Sequence, residues 1–272
     1  MNAARTPHAK IATGGYDPNV PNIARIYDYF LGGKDSSLAD RMQAATIIEI
    51  APYVPRLAVA NRTFLGRVIR YLAQEAGIRQ FLDIGSGLPT RQNVHEVAQQ
   101  ITADTRVVYV DNDSVVLAHA RALLATTPTT HVIEGDLRQP GELLSATGAY
   151  LDFSQPIAVL LFAILHFFPD GGAYDPYRIV GTLTDALAPG SYLAISHVEP
   201  TPAMLDASRH YTAADVAFRD HDRVMPFFAG TTLVAPGLVR LNEWRPVDHD
   251  SVFPSDAPDV PAWALGGVGR KP

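Results

Sequence analysis

Three aspartates stand where a chain could grip a small polar ligand. They are Asp83 in Phe81-Leu82-Asp83-Ile84-Gly85-Ser86-Gly87, Asp111 closing Arg106-Val107-Val108-Tyr109-Val110-Asp111, and Asp136 in Gly135-Asp136-Leu137. Apolar, strand-forming runs lead into them, so the carboxylates are delivered to strand ends. Gly85 and Gly87 remove side chains where the backbone must turn sharply and approach a ligand, and Thr90 is placed to cap a helix whose apolar face is Val94, Val97, Ala98 and Ile101. Asp111 lies 26 residues past Gly85, near the spacing at which an acidic side chain holds ribose hydroxyls. A bare strand-turn-helix connection also uses glycine, but it has no need of three carboxylates. The pattern points to a ribose-bearing ligand.

Several ligand classes fail on particular residues. Thr90 occupies the third position of a dinucleotide glycine fingerprint, with Pro89 before it, which disfavours NAD and FAD. None of the lysines, Lys10, Lys34 and Lys271, follows a tyrosine by four residues, so the short-chain dehydrogenase pair is missing. Gly33-Lys34 is no phosphate loop, because Asp28 and Asp35 stand where glycine and a hydroxyl residue belong. His95-Glu96 opens a zinc-protease pattern that Gln99 breaks, and no metal site is expected. S-adenosylmethionine carries no phosphate and brings a zwitterionic amino-acid end to the loop, where Asp83 suits its ammonium.

The bulk composition agrees with a small-molecule protein. Net charge is −6, from 22 basic and 28 acidic residues, so no basic field invites nucleic acid or an anionic membrane. The absence of cysteine removes disulfides and thiolate chemistry and is compatible with a cytoplasmic location. Met1 to Lys10 lacks a signal-peptide apolar core, and the longest apolar run, Ile157 to Leu165, is too short to span a bilayer.

The elements that position these residues follow from periodicity. Residues 1–19 are expected to be flexible, with a helix from Pro21 carrying Ile23, Ile26, Tyr27 and Phe30 on one face and stopped by Gly32-Gly33. Further helices are predicted over 37–50 and 56–76. Strands over 81–84, 106–111, 130–134, 157–163 and 191–198 then alternate with helices, the pattern of a parallel sheet. The last third predicts a helix over 204–224, a strand over 238–244, a Pro/Asp-rich loop through Pro261 and a closing antiparallel strand over 262–268. The expected fold is α/β and Rossmann-like, a mostly parallel seven-stranded sheet with an antiparallel C-terminal strand. It divides into an N-terminal helical extension or lid, 1–77, and a ligand-binding domain, 78–272.

Two segments resemble a known family. Pro21-Asn22-Ile23-Ala24-Arg25-Ile26-Tyr27-Asp28-Tyr29-Phe30-Leu31-Gly32-Gly33-Lys34-Asp35 with Ala39-Asp40-Arg41, and Phe81 to Thr90 with Asn93-Val94-His95-Glu96-Val97-Ala98, are similar to S-adenosylmethionine-dependent class I methyltransferases of actinomycetes, long catalogued as a domain of unknown function. Trp244-Arg245-Pro246 and Gly267-Val268-Gly269 resemble the family's C-terminal end; Ser36-Ser37 departs from its pattern. The resemblance implies S-adenosyl-L-methionine as cofactor and S-adenosyl-L-homocysteine as product. It implies Asp83, Gly85, Ser86 and Gly87 around the methionine end, Asp111 on the ribose, Asn112 beside the adenosine and Asp136-Leu137 framing the adenine, with Ala163 also at the cofactor. It names no methyl acceptor.

Methyl transfer from a sulfonium needs alignment and a dry site more than a base. His166, in Phe162-Ala163-Ile164-Leu165-His166-Phe167-Phe168, reads either as the residue taking the acceptor's proton or as a hydrogen-bonded packing residue. Phe167, His197 and Tyr211 are candidates for the acceptor pocket. Arg25 and Tyr27 read either as lid residues closing on the cofactor or as helix packing. The function expected is methylation of an oxygen, nitrogen or carbon nucleophile on a small molecule; the alternative is a noncatalytic sensor that keeps the cofactor cradle.

Overall fold

The computed structural model describes residues 16–125, 127–246 and 263–272. The expected Pro/Asp-rich loop through Pro261 falls largely outside these residues, as does most of the expected flexible start. Five parallel strands, β1 (Gln80–Ile84), β2 (Arg106–Asp111), β3 (Thr130–Glu134), β4 (Ala158–Phe162) and β5 (Tyr192–Val198), form the centre of the sheet. A long antiparallel strand, Ala264–Arg270, runs beside β5 and carries on its far side two short strands, β6 (Thr232–Leu233) and β7 (Val239–Arg240), so it is β8 in chain order. The sheet order is β3-β2-β1-β4-β5-β8-β6, with β7 also on β8, giving eight strands among the described residues. Residues 238–244 are not the single strand that their apolar character suggests. Only Val239–Arg240 pairs with β8, and Leu241–Glu243 curl into a 3-10 turn because buried Arg67 draws the carbonyls of Leu241 and Trp244 toward itself.

Alternation along each strand splits the core into two layers. Phe81, Val107, Tyr109, Ala158, Leu160 and Ala194 face one side, where α3 (Val54–Arg70) and α4 (Val94–Ile101) cover them. Leu82, Ile84, Val108, Val110, Val159, Leu161 and Ile195 face the other, covered by α6 (Pro140–Thr147) and α7 (Pro176–Ala186). Each such aliphatic side chain taken from water contributes roughly 1.5–3 kcal/mol before entropy is charged against it. Trp244, fully buried, wedges edge-on against Phe64 and Tyr71, and Arg245 lies over the Tyr71 ring, so the C-terminal motif packs the chain's end onto α3.

The helix after the glycine turn begins at Asn93, not Thr90. Asn93 forms a capping box with Glu96, and the Thr90 carbonyl accepts from Asn93 Nδ2 at 2.7 Å. The broken zinc pattern is thereby explained: Glu96 caps, and the His95 ring and backbone N–H both meet the Tyr109 hydroxyl at 2.9 Å. The long helix expected over 204–224 is two pieces, α8 (Pro202–His210) and α9 (His221–Val224). Side-chain capture breaks it: Gln43 accepts from the Thr212 backbone and hydroxyl while donating to the His210 carbonyl, and the Ala217 N–H donates to the His166 carbonyl at 2.7 Å.

Two helices precede α3: α1 (Ile23–Phe30), capped by Asn22, and α2 (Leu38–Ile50), whose Ser37/Asp40 capping box starts it. Asp40 sits at the join, fully buried, accepting from Arg25 Nε at 2.7 Å and from the backbone N–H groups of Asn22 and Ser37 at 2.8 and 2.7 Å. Between the helices, a Cβ on Gly33 would stand 2.0 Å from the Asp28 carboxylate, which itself accepts from the Asp35 N–H. The Gly-Gly-Lys-Asp turn is thus shaped to fold back on α1.

Candidate active site

At the carboxyl ends of β1 to β5 lies one cavity of about 880 Å³, near the top of the roughly 300–1,000 Å³ typical of ligand pockets. The structure brings every candidate residue to its wall: Asp83, Gly85, Ser86, Gly87, Asp111, Asn112, Asp136, Leu137, Ala163, Arg25, Tyr27, His166, Phe167, His197 and Tyr211. Topology explains the convergence, since parallel strands place all their carboxyl ends on one edge.

At the β1–β3 side the glycine turn adopts left-handed backbone, with φ of +73° at Gly85 and +66° at Gly87. A Cβ on Gly85 would meet Ile164 Cδ1 at 2.1 Å, whereas one on Gly87 would have nothing within 4 Å. Gly85 is therefore needed for packing and Gly87 faces open space. The Gly87 N–H donates to Asp111 Oδ2 at 2.9 Å, and the Asp113 N–H donates to Oδ1 at 3.0 Å, so Asp111 orders both loops around it. Burial pushes the Asp111 carboxyl up. Asp83, buried, is pushed up to about 7 by desolvation and by Asp111, against the opposing pull of Arg62. Asp136 is held by Arg138, whose N–H and guanidinium both donate to it, so its carboxylate also closes its own loop.

Over this side lies α1. Asn22 Nδ2 donates to Asp113 Oδ2 at 2.8 Å, tying the start of α1 to the cap of α5 (Ser114–Leu123). Arg25 is spent on Asp40 and the Val20 carbonyl, and the Tyr27 hydroxyl donates to the Ala58 carbonyl while accepting from Asn61. Both side chains line the cavity while their polar atoms brace the helices.

At the β4–β5 side, Ala163 takes a left-handed φ of +52° as β4 leaves the sheet, and its N–H donates to Ser196 Oγ at 2.8 Å. His166, 7% exposed, makes no side-chain hydrogen bond among the described residues. Burial, with His197 and Arg219 nearby, holds it well below the ordinary histidine range. His197 is fixed differently. Its Nδ1 lies 2.9 Å from the Val198 carbonyl and its Nε2 3.0 Å from Arg219 Nη1, so Nδ1 carries the proton and Nε2 accepts. Burial drives its pKa down to about 3. The lone pair of His197 is thus committed to Arg219.

Arg219 is a residue that sequence reading overlooked. Fully buried, it donates to the carbonyls of Leu165 and Phe168, to His197 and to Asp170, bracing the whole segment that carries His166. Its partners are mostly backbone carbonyls on distant segments, which leave no local motif. Asn61 and Asp113 were also missed, although Asp113-Ser114 is a legible helix cap.

An open sheet ordered β3-β2-β1-β4-β5, an antiparallel strand beyond β5, a glycine turn after β1 and a carboxylate ending β2 define a class I methyltransferase. A family model described as S-adenosyl methyltransferase matches residues 9–272. The chain belongs to that family and is a methyltransferase. It is similar to the crystal structure of a DUF574-family protein from Streptomyces avermitilis, 38% identical, with a TM-score of 0.86 and 94% of this chain and 99% of that one covered. It is likewise similar to a candidate methyltransferase from Thermobifida fusca, 42% identical, with a TM-score of 0.84 and 93% and 96% covered. No curated protein matches the sequence. Among the described residues no helix is long and apolar enough to cross a membrane, and no group of His, Asp and Glu could hold a metal ion.

Proposed function

We propose that the protein binds S-adenosyl-L-methionine between α1 and the ends of β1 to β3. A small-molecule acceptor then meets the methyl group at the ends of β4 and β5, attacking through oxygen, nitrogen or carbon. One observation carries this reading: Ser86 Oγ, Asn61 Oδ1, Arg62 Nε and His166 Nδ1 are buried polar atoms without partners, and all four residues line the cavity. Buried polar groups are normally satisfied, so their convergence suits a polar ligand.

Once bound, the cofactor supplies a methyl group on a cationic sulfur that leaves as a neutral thioether. Asp83 faces the cationic amino-acid end, Gly85, Ser86 and Gly87 let backbone approach it, and Asp111 accepts from the ribose hydroxyls. Asn112, Asp136 and Leu137 border the adenine, and Ala163 borders the cofactor from β4. The N-terminal extension contributes the closing wall through α1 and α2, with Arg25 and Tyr27 on its cavity side. Phe167, His197 and Tyr211 line the acceptor's place, and His166 takes its proton. A net charge of −6 suits a cytoplasmic enzyme of small molecules and disfavours nucleic acid or anionic membranes as partners.

Calorimetry with S-adenosylhomocysteine tests the cradle. Asp111→Ala is expected to weaken binding by roughly 1.5–3 kcal/mol, the value of a charge-assisted hydrogen bond; unchanged affinity would refute the assignment. Gly87→Val is expected to cost about 1–2 kcal/mol of stability from its left-handed backbone and to reduce affinity by more than that. Equal losses in melting and binding would make Gly87 a purely structural glycine.

The pKa of Asp83 adds a pH signature. Its ammonium-binding form is the carboxylate, so affinity should climb up to about tenfold per unit as pH rises toward 7 and flatten above it. Binding at pH 6 should release a proton, read from calorimetry in buffers of different ionisation enthalpy. In the unliganded protein the same raised pKa acts oppositely: its contribution to stability is full below the unfolded value near 4 and is lost as pH rises through about 7.

A further inference from the structure

Beyond His166 the cavity changes character. Its wall there is Phe30, Ile47 and Val54 from α1 to α3, Phe167, Met204 of α8, and Phe218. The rings of Phe167 and Tyr211, both lining the cavity, stack 20° from parallel with centroids 6.1 Å apart and give this end an aromatic wall. Gln43 and the Ala217–His166 bond hold the 211–218 segment in place as the outer wall.

No charge is available at this end. Arg62, Asp83, Asp111, Asp113 and Asp136 stand on the β1–β3 side, Asp17 lies in the turn ahead of α1, where it accepts from the Asn19 N–H, and Arg25 is paired with Asp40. Arg219, behind His197, is committed to carbonyls, to Asp170 and to the His197 ring. A cationic acceptor would find no carboxylate here and an anionic one no uncommitted cation, so either would be buried uncompensated.

The groups facing His166 decide the nucleophile. The His197 ring is 5.7 Å away, edge to face, and Arg219 lies beyond it; both oppose an imidazolium, as does burial. His166 is consequently a neutral, weak base. A weak base can take the proton of the very acidic oxonium that develops as a hydroxyl is methylated. It cannot take one from an alkylammonium, which holds its proton to a pH near 10, about that of lysine.

We infer that the acceptor is an uncharged, planar, mostly apolar molecule that presents a hydroxyl group to His166 and lies against the stacked Phe167 and Tyr211 rings; this rests on the methyltransferase reading above. In the transfer, the hydroxyl oxygen forms a bond to the methyl carbon and the sulfur–methyl bond breaks with its electron pair left on sulfur. The hydroxyl proton passes to an imidazole nitrogen of His166 and then to water.

Three naphthalenes that differ in charge test the inference on full-length protein saturated with S-adenosylhomocysteine at pH 7.5: 2-naphthol, neutral; 2-naphthoate, an anion; and 2-naphthylmethylamine, a cation. Calorimetry should show 2-naphthol binding at least about tenfold more tightly than either charged probe. Phe167→Ser should weaken 2-naphthol by roughly fivefold or more while leaving S-adenosylhomocysteine affinity within about twofold, which also shows that the variant is folded. With methyl-labelled donor, label should appear in the naphthyl ether and not in the amine. A charged probe binding as well as 2-naphthol, label on the amine, or no binding of 2-naphthol to the loaded protein would each overturn the acceptor class and leave the cofactor assignment standing. Failure of S-adenosylhomocysteine itself to bind would overturn the parent reading.

Discussion

Asp40→Ala is expected to free α1 from the rest of the protein and to cost on the order of 3–5 kcal/mol, because it leaves buried Arg25 only the more distant Asp113 carboxylate, at 4.0 Å, as counter-charge. The site has no slack: both partners are at most 4% exposed, and Asp40 also holds the backbone N–H groups of Asn22 and Ser37. Since Asn22 in turn bonds Asp113, the loss should spread to the cofactor side of the cavity. Hydrogen exchange should therefore accelerate over Asn22 to Asp35, and S-adenosylhomocysteine affinity should fall, while exchange in β1 and β4 stays slow. Replacing both members, Arg25→Met with Asp40→Leu, should recover only the part due to the unpaired charge, because the Asn22 and Ser37 N–H groups stay without their acceptor. Unchanged exchange in α1 with full affinity would refute the wall assigned to these helices.

Acid should reproduce part of this effect. Burial alone would raise the Asp40 carboxyl, but hydrogen bonds from Arg25, Asn22 and Ser37 outweigh it and hold the pKa below its ordinary value. Stability from this group is present above the unfolded value, near 4, and is lost as pH falls through the lower folded value. Protection of the α1 amides, taken relative to intrinsic exchange at each pH, should fall steeply only below about pH 4.

Arg219→Met is expected to be the most damaging single change on the acceptor side. It deprives the carbonyls of Leu165 and Phe168 of a buried donor and leaves His197 Nε2 without one, while Asp170 keeps only Arg223. A loss on the order of 3–5 kcal/mol follows from breaking a buried charged network, or about 10 °C in melting temperature for a protein of this size. Arg219→Lys should rescue little, because one ammonium cannot span the several directions of a guanidinium fork. Because Arg219 helps to keep His166 neutral, the Met variant should also raise the His166 pKa, visible by NMR titration of its ring protons. A stable variant with an unshifted His166 would remove Arg219 from this role.

The parts of the structure that were readable in the sequence share a physical feature: they depend on residues close together in the chain. Alternation located the five parallel strands, and the glycine turn after β1 with the carboxylates of Asp83 and Asp111 followed from strand-end chemistry. Local competition misled where several neighbours could do one job, as when Asn93, with Glu96 in reach, capped α4 in place of Thr90. The pattern over 204–224 suggested one helix, but Gln43 sits 169 residues from Thr212 and still ends α8 by bonding it. No window of sequence contains that pair.

Residue types and periodicity by themselves determined the sheet, its layered core and the carboxylates gathered at one sheet edge, because backbone hydrogen bonding and apolar burial act through patterns a few residues long. Tertiary structure alone decided which side chains remain available for chemistry. Folding spent Arg25 on Asp40, Tyr27 on Ala58 and Asn61, and His197 on Arg219, and it left His166 unpartnered in the cavity. Hydrogen bonds and ion pairs act at about 3 Å in space without regard to separation along the chain, so a polar side chain's availability is known only once its distant neighbours are in place.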